Sequence, residues 1–93
     1  MNASAKGSRA ERKARALLEA AGFVVCRAAG SKGPADLIAW DTTSIRFISI
    51  KSGTAYASAI EREALQIMPR PANASVEIWR LPDRCRAPRI ERL

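Results

Sequence analysis

The chain contains no histidine, and that absence removes several chemistries at once. A Ser–His–Asp triad, a histidine general base and a histidine-bound zinc are all excluded. The two cysteines, Cys26 and Cys85, stand far apart and neither belongs to a C-x-x-C, so a zinc ribbon or a redox dithiol is excluded too. Aromatic residues are only 5% of the sequence, too few for a dedicated single-strand binder that stacks successive bases. No apolar run approaches the roughly 18 residues of a membrane span, and no secretory hydrophobic region opens the sequence. The expectation is a protein of the cytoplasm, associated with the nucleoid, without a membrane partner and with reduced thiols.

What is abundant is positive charge. Sixteen Lys and Arg oppose nine Asp and Glu, a formal net charge of +7 on 93 residues. Twelve of the cations are arginine, whose guanidinium pairs bidentately with phosphate and stacks on bases. The excess gathers at the two ends. Lys6, Arg9, Arg12, Lys13 and Arg15 less Glu11 leave +4 over the first fifteen residues. Arg80, Arg84, Arg86, Arg89 and Arg92 less Asp83 and Glu91 leave +3 over the last fourteen. A phosphate backbone suits such a distribution. The composition is globular, 47% hydrophobic and 27% charged, and the length is that of one small domain over residues 1–93. A domain of this size buries only about 60–65% of its unfolded surface, so a partner subunit would help it.

The hydrophobic pattern predicts α/β architecture. Ala10, Ala14, Leu17, Leu18 and Ala21 form a stripe at helical period, with Ser8 and Glu11 placed as a capping box and Gly22 as the stop. Residues 1–7 are expected to fray. Phe23–Arg27 and Asp36–Trp40 read as strands around a Gly30–Pro34 loop, and Asp41–Ser44 turns the second into a third, Ile45–Lys51. A second helix starts near Ser58 with Glu61 as capping partner, carries Ile60, Ala64, Ile67 and Met68 on one side, and stops at Pro69-Arg70-Pro71. Val76–Leu81 alternates as a fourth strand, and residues 84–93 form a basic tail. The expected order is α-β-β-β-α-β.

Three charged residues in this pattern invite chemistry. Asp36 sits at a loop–strand junction, where a carboxylate can hold a hard divalent cation or simply bond the backbone of its own turn. Lys51 ends an apolar strand and shares a face with Ser49, while Ile48 and Ile50 point the other way. In simple hairpin register Asp36 and Lys51 converge, and a metal held by the aspartate beside the ammonium would bind a phosphodiester; a strand-terminal lysine also serves to block an edge. Glu11 falls about 20° from Leu18 on the helical wheel, at the border of the buried stripe. It has alternative work as a cap and as an i,i+4 partner of Arg15.

The segments Lys6–Arg12, Gly22–Arg27, Ala29–Ala39 and Ile48–Ser52 resemble the archaeal-type Holliday junction resolvases of the PD-(D/E)XK nuclease superfamily. The resemblance covers roughly residues 6–52. It implies a restriction-endonuclease-like core, a mixed central sheet flanked by helices, acting as a Mg²⁺- or Mn²⁺-dependent endonuclease on branched DNA in recombination and repair. A homodimer follows, because resolving a four-way junction takes two symmetric cuts. Carried over by position, Glu11 and Asp36 become metal-site acids together with the main-chain carbonyl of Ile50, and Lys51 becomes the catalytic lysine. Arg9, Arg12, Arg27, Ser31 and Lys32 become DNA contacts.

One position departs from the family pattern. An acid is expected two residues before the lysine, and Ser49 stands there instead. A neutral hydroxyl is a poorer ligand for a hard cation than a carboxylate. Three explanations are open: a weakened site on Asp36, Glu11 and the Ile50 carbonyl; an acid moved to the second helix, at Glu61 or Glu63; or a DNA-binding protein that keeps the fold without cutting. A basic domain for structured RNA is a further class that charge alone permits.

Overall fold

In the computed structural model of the chain, residues 3–28, 34–53, 55–82 and 87–93 are described, with side chains from Arg9 onward. Their elements run α1 (Ala3–Ala20), β1 (Val24–Arg27), β2 (Leu37–Trp40), β3 (Ile45–Ser52), α2 (Ala59–Ile67), β4 (Ala74–Leu81) and β5 (Arg89–Arg92). The expected α/β class and element order are present, with one strand added at the end.

Helix α1 begins five residues before Ser8, which therefore lies inside the helix and is not its N-cap. Ala3, Ala5 and Lys6 favour the helix and no proline interrupts residues 3–7, which lie in its first turns. The other end is as expected. Gly22 takes φ +96°, a left-handed conformation that costs glycine nothing, and the Phe23 amide donates to the Leu18 carbonyl at 3.0 Å. Ala10, Ala14 and Leu18 are buried, whereas Leu17 and Ala21 of the expected stripe remain outside.

The sheet is ordered β1-β2-β3-β4-β5, antiparallel except for the β3–β4 pair. Parallel neighbours need a crossover, and α2 supplies it. Strand alternation then divides the molecule into two cores. Ile48, Leu37, Ala39, Trp79 and Leu81 pack under α1 with Ala10, Ala14 and Leu18. On the opposite face Leu65 of α2 packs on Val76 and Ile78, with Phe47, Met68 and Leu93 around them.

Two expectations fail here for packing reasons. Helix α2 has its capping box at Ser58 and Glu61, but it buries Leu65 and leaves Ile60 and Ile67 83% and 73% exposed. The 61–65–68 face is turned to the sheet, so of the expected stripe Ile60 and Ile67 lie outward, Ala64 is half-buried and Met68 packs against the core. The basic tail is also partly a strand: Arg89–Arg92 pairs antiparallel with β4. Its exposed charges suit an edge strand, which must avoid pairing with other chains.

Because β5 covers β4, the latter is central and buries Val76, Glu77, Ile78 and Trp79 consecutively. Glu77, with no exposed surface, accepts from Arg46 Nε at 2.9 Å and Nη2 at 2.7 Å, from Ser75 Oγ at 2.6 Å and from Trp79 Nε1 at 2.9 Å. Burial pushes its carboxyl upward, but the bonds from Arg46, Ser75 and Trp79 together outweigh that and hold it below the usual range. Arg46 is itself stacked between the rings of Phe23 and Trp79, at 5.1 and 5.4 Å.

Candidate active site

The β2–β3 hairpin positions the first acid. Asp41 Oδ1 accepts from the amides of Thr43 and Ser44, both at 2.9 Å, and fixes the turn that puts Leu37 opposite Ile48. One step beyond this ladder, Asp36 lies across from Ser49, with its amide donating to the Ile48 carbonyl at 2.8 Å. Its carboxylate Oδ2 accepts the Ile50 amide at 2.7 Å. The carboxylate thus does bond backbone, but that of β3 rather than its own turn. Asp36 is thereby fastened beside the segment that carries Ser49 and Lys51.

Alternation along β3 puts Ser49 and Lys51 on the α2 face, as expected. Ser49 is buried. Lys51 lies on a central strand, so edge protection does not explain it. Its Nζ donates to Glu61 Oε2 at 2.5 Å, while Glu61 Oε1 accepts the Ser58 amide at 3.0 Å. Glu61 therefore completes the helix cap with one oxygen and holds the lysine with the other. The Lys51 bond first, then the Ser58 amide, keep the Glu61 carboxyl below the ordinary carboxylate range. Glu63, the other helix candidate, is exposed. Gly53, at φ +61°, turns the chain out of β3 two residues past this lysine.

Glu11 is engaged elsewhere. Its Oε1 lies 2.7 Å from Arg27 Nε, not at Arg15, and Glu11, Arg12, Arg15 and Arg27 line one shallow cleft. Arg27 pairs in register with Leu37, which packs under α1, so this cleft belongs to the α1 face. Arg9 and Arg12 are exposed on the same helix. Ser31 and Lys32 lie outside the described residues. Asp36, Ser49, Lys51 and Glu61 thus form one group, and Glu11, Arg12 and Arg27 another.

Among the described residues no three His, Cys, Asp or Glu side chains gather to hold a metal ion. Magnesium does not require that. It keeps several waters and is commonly held by one or two carboxylates plus a substrate phosphate. Asp36, Glu61 and the Ile50 carbonyl are hard oxygen donors of the kind such an ion takes.

Sequence reasoning passed over two neighbours of this group. Arg80 pairs in register with Lys51, and its guanidinium lies 3.9 Å from the centre of the Tyr56 ring. The signal was present: Val76, Ile78 and Arg80 share a parity, which places a charge in line with two core residues.

Comparison with known proteins accords with this geometry. Residues 2–74 match the family model described as archaeal Holliday junction resolvase (Hjc). The solved structure of Hjc from Archaeoglobus fulgidus, a Holliday junction resolvase from an archaeal hyperthermophile, is similar with a TM-score of 0.79 and 30% identity. That similarity covers 94% of this chain and 72% of the other. No curated protein matches. Among the described residues no helix is long and apolar enough to cross a membrane.

Proposed function

This chain belongs to the archaeal Holliday junction resolvase family, and on that footing we propose that it is a metal-dependent endonuclease that hydrolyses phosphodiesters of branched DNA. The observation that carries the reading is the Lys51–Glu61 pair on the face where Asp36 is anchored to β3. Of the three explanations for Ser49, it favours the displaced acid: Glu61 reaches from α2 to the lysine that the missing carboxylate would have accompanied.

In this reading Asp36, Glu61 and the Ile50 carbonyl hold Mg²⁺ or Mn²⁺. Such an ion, when bound, polarises the phosphodiester and lowers the pKa of a water. Lys51, oriented by Glu61, offsets the charge that develops on the phosphate. Glu11 acts instead through Arg27, holding that guanidinium on the α1 face beside Arg9 and Arg12 as part of a DNA-binding surface. The protein works inside the cell as one nuclease-like domain and as a homodimer, since symmetric strands need two sites. The exposed Ile60 and Ile67 on α2 are the apolar surface that a second copy would cover.

Cleavage of a synthetic four-way junction in Mg²⁺ or Mn²⁺ tests the proposal. Wild type is expected to cut, and Asp36→Asn is expected to bind without cutting. A non-cleaving DNA-binding protein is the second reading, favoured by the neutral Ser49 at the position of the motif acid. It prevails if wild type shifts the junction in a gel and leaves every strand intact. Competition by structured RNA that displaces the junction would favour the RNA-binding class instead.

A further inference from the structure

The charge on the α2 face poses a problem for a phosphodiester. Lys51 is matched by Glu61, and Asp36 adds a carboxylate, so these three side chains alone leave the face negative. Arg80 changes that balance. It stands beside Lys51 on the adjacent parallel strand, about 4.8 Å away in the hydrogen-bonding direction, and strand parity gives it the same face. On its other side it pairs in register with Arg89 of β5. The acid of β5 that faces α2, Glu91, is paired with Arg62 and also feels the charge of Arg80.

The Arg80 side chain is also held in a manner that suits an incoming anion. The Tyr56 ring covers one face of the guanidinium, which removes water and fixes its plane. Its Nε is buried and finds no hydrogen-bond partner among the described residues. Nε is closed to solvent, so an incoming phosphate would be met by the outer nitrogens of the guanidinium fork. Arg46 makes the contrast: its guanidinium is spent on Glu77.

We propose that Arg80, flattened against Tyr56, is a phosphate-binding residue of the Lys51 site that holds the backbone of the bound DNA strand. It rests on the nuclease reading for the location of the strand, but its test does not need cleavage. Junction affinity is measured by gel shift in Ca²⁺ over a range of salt, for wild type, Arg80→Met, Arg80→Lys and Tyr56→Leu. Losing one phosphate contact is expected to lower the slope of log affinity against log salt by about one. Arg80→Met should show that loss and bind about tenfold more weakly, Arg80→Lys should keep the slope, and Tyr56→Leu should weaken binding with the charge intact. Wild-type slope and affinity in a folded Arg80→Met overturn the proposal. Should circular dichroism show Arg80→Met unfolded, Tyr56→Leu decides, and wild-type binding there overturns it equally. A wild-type protein that binds but never cuts defeats the nuclease reading and leaves the slope to judge Arg80 alone.

Discussion

Lys51 on β3 and Glu61 on α2 form a charge-assisted hydrogen bond of 2.5 Å, joining a strand end to the first turn of the following helix. That bond links the capping of a helix to the orientation of the residue assigned the catalytic charge.

Exchanging acids tests the displacement directly. Glu61→Gln is expected to reduce metal-dependent cleavage by about 10–100-fold, as loss of a supporting ligand does. Adding Ser49→Glu to Glu61→Gln should restore part of the rate and tighten Mn²⁺ binding, read by titration of the folded protein. Ser49→Glu alone should gain little, because Glu61 already occupies the role.

Acid titration should follow the same pair. A carboxyl whose folded value is depressed contributes its stabilisation above the ordinary carboxylate range and loses it as the pH falls through the lowered value. The Glu61 carboxyl carbon, followed by NMR, should titrate below the usual carboxylate range, and Lys51→Ala should move it upward.

Glu77 governs stability rather than chemistry. Glu77→Ala strips Arg46 of its buried partner and should cost about 3–5 kcal/mol in urea unfolding. Its carboxyl is also depressed, so its contribution to wild type is complete above the usual carboxylate range and is lost on acidification through the folded value. Glu77→Gln should flatten that part of the stability–pH curve.

At Asp36 fold and chemistry separate. Asparagine can still accept the Ile50 amide, so Asp36→Asn should melt near wild type while losing cleavage. Asp36→Ala leaves the amide unsatisfied and should lose about 1–3 kcal/mol as well, measured by thermal unfolding.

The outward face of α2 predicts assembly. Ile60→Glu should convert dimer to monomer in gel filtration at micromolar concentration without lowering monomer helicity, because the side chain is 83% exposed.

The hairpin, the α2 cap and the face shared by Ser49 and Lys51 were legible because each depends on local spacing. Asp41, Ser58 and Glu61 act on backbone within three residues of themselves. What was hidden depends on distant partners. Ile60 and Leu65 are both apolar, and only the docking of α2 decides which is buried. The burial of Glu77 depends on Arg46 of the neighbouring β3 and on the core around Trp79, which spacing within β4 does not reveal. The Glu11–Arg27 pair was hidden too, since a helix wheel cannot show that Arg27 lies within reach. The family likeness of residues 6–52 located Asp36 and Lys51, yet the acid that meets this lysine, Glu61, lay beyond that stretch.

If Glu61 of the nine-residue α2 is the working carboxylate we propose, its place in the opening turn of that helix sets what limits activity under heating. Helix ends fray before sheets separate. When the Ser58–Glu61 turn loosens, the lysine loses its counter-charge while the five strands remain zipped, so inactivation should precede the cooperative melt. A neighbour resting on Ile60 and Ile67 would clamp that turn, making quaternary contact and thermal tolerance of turnover a single linked quantity.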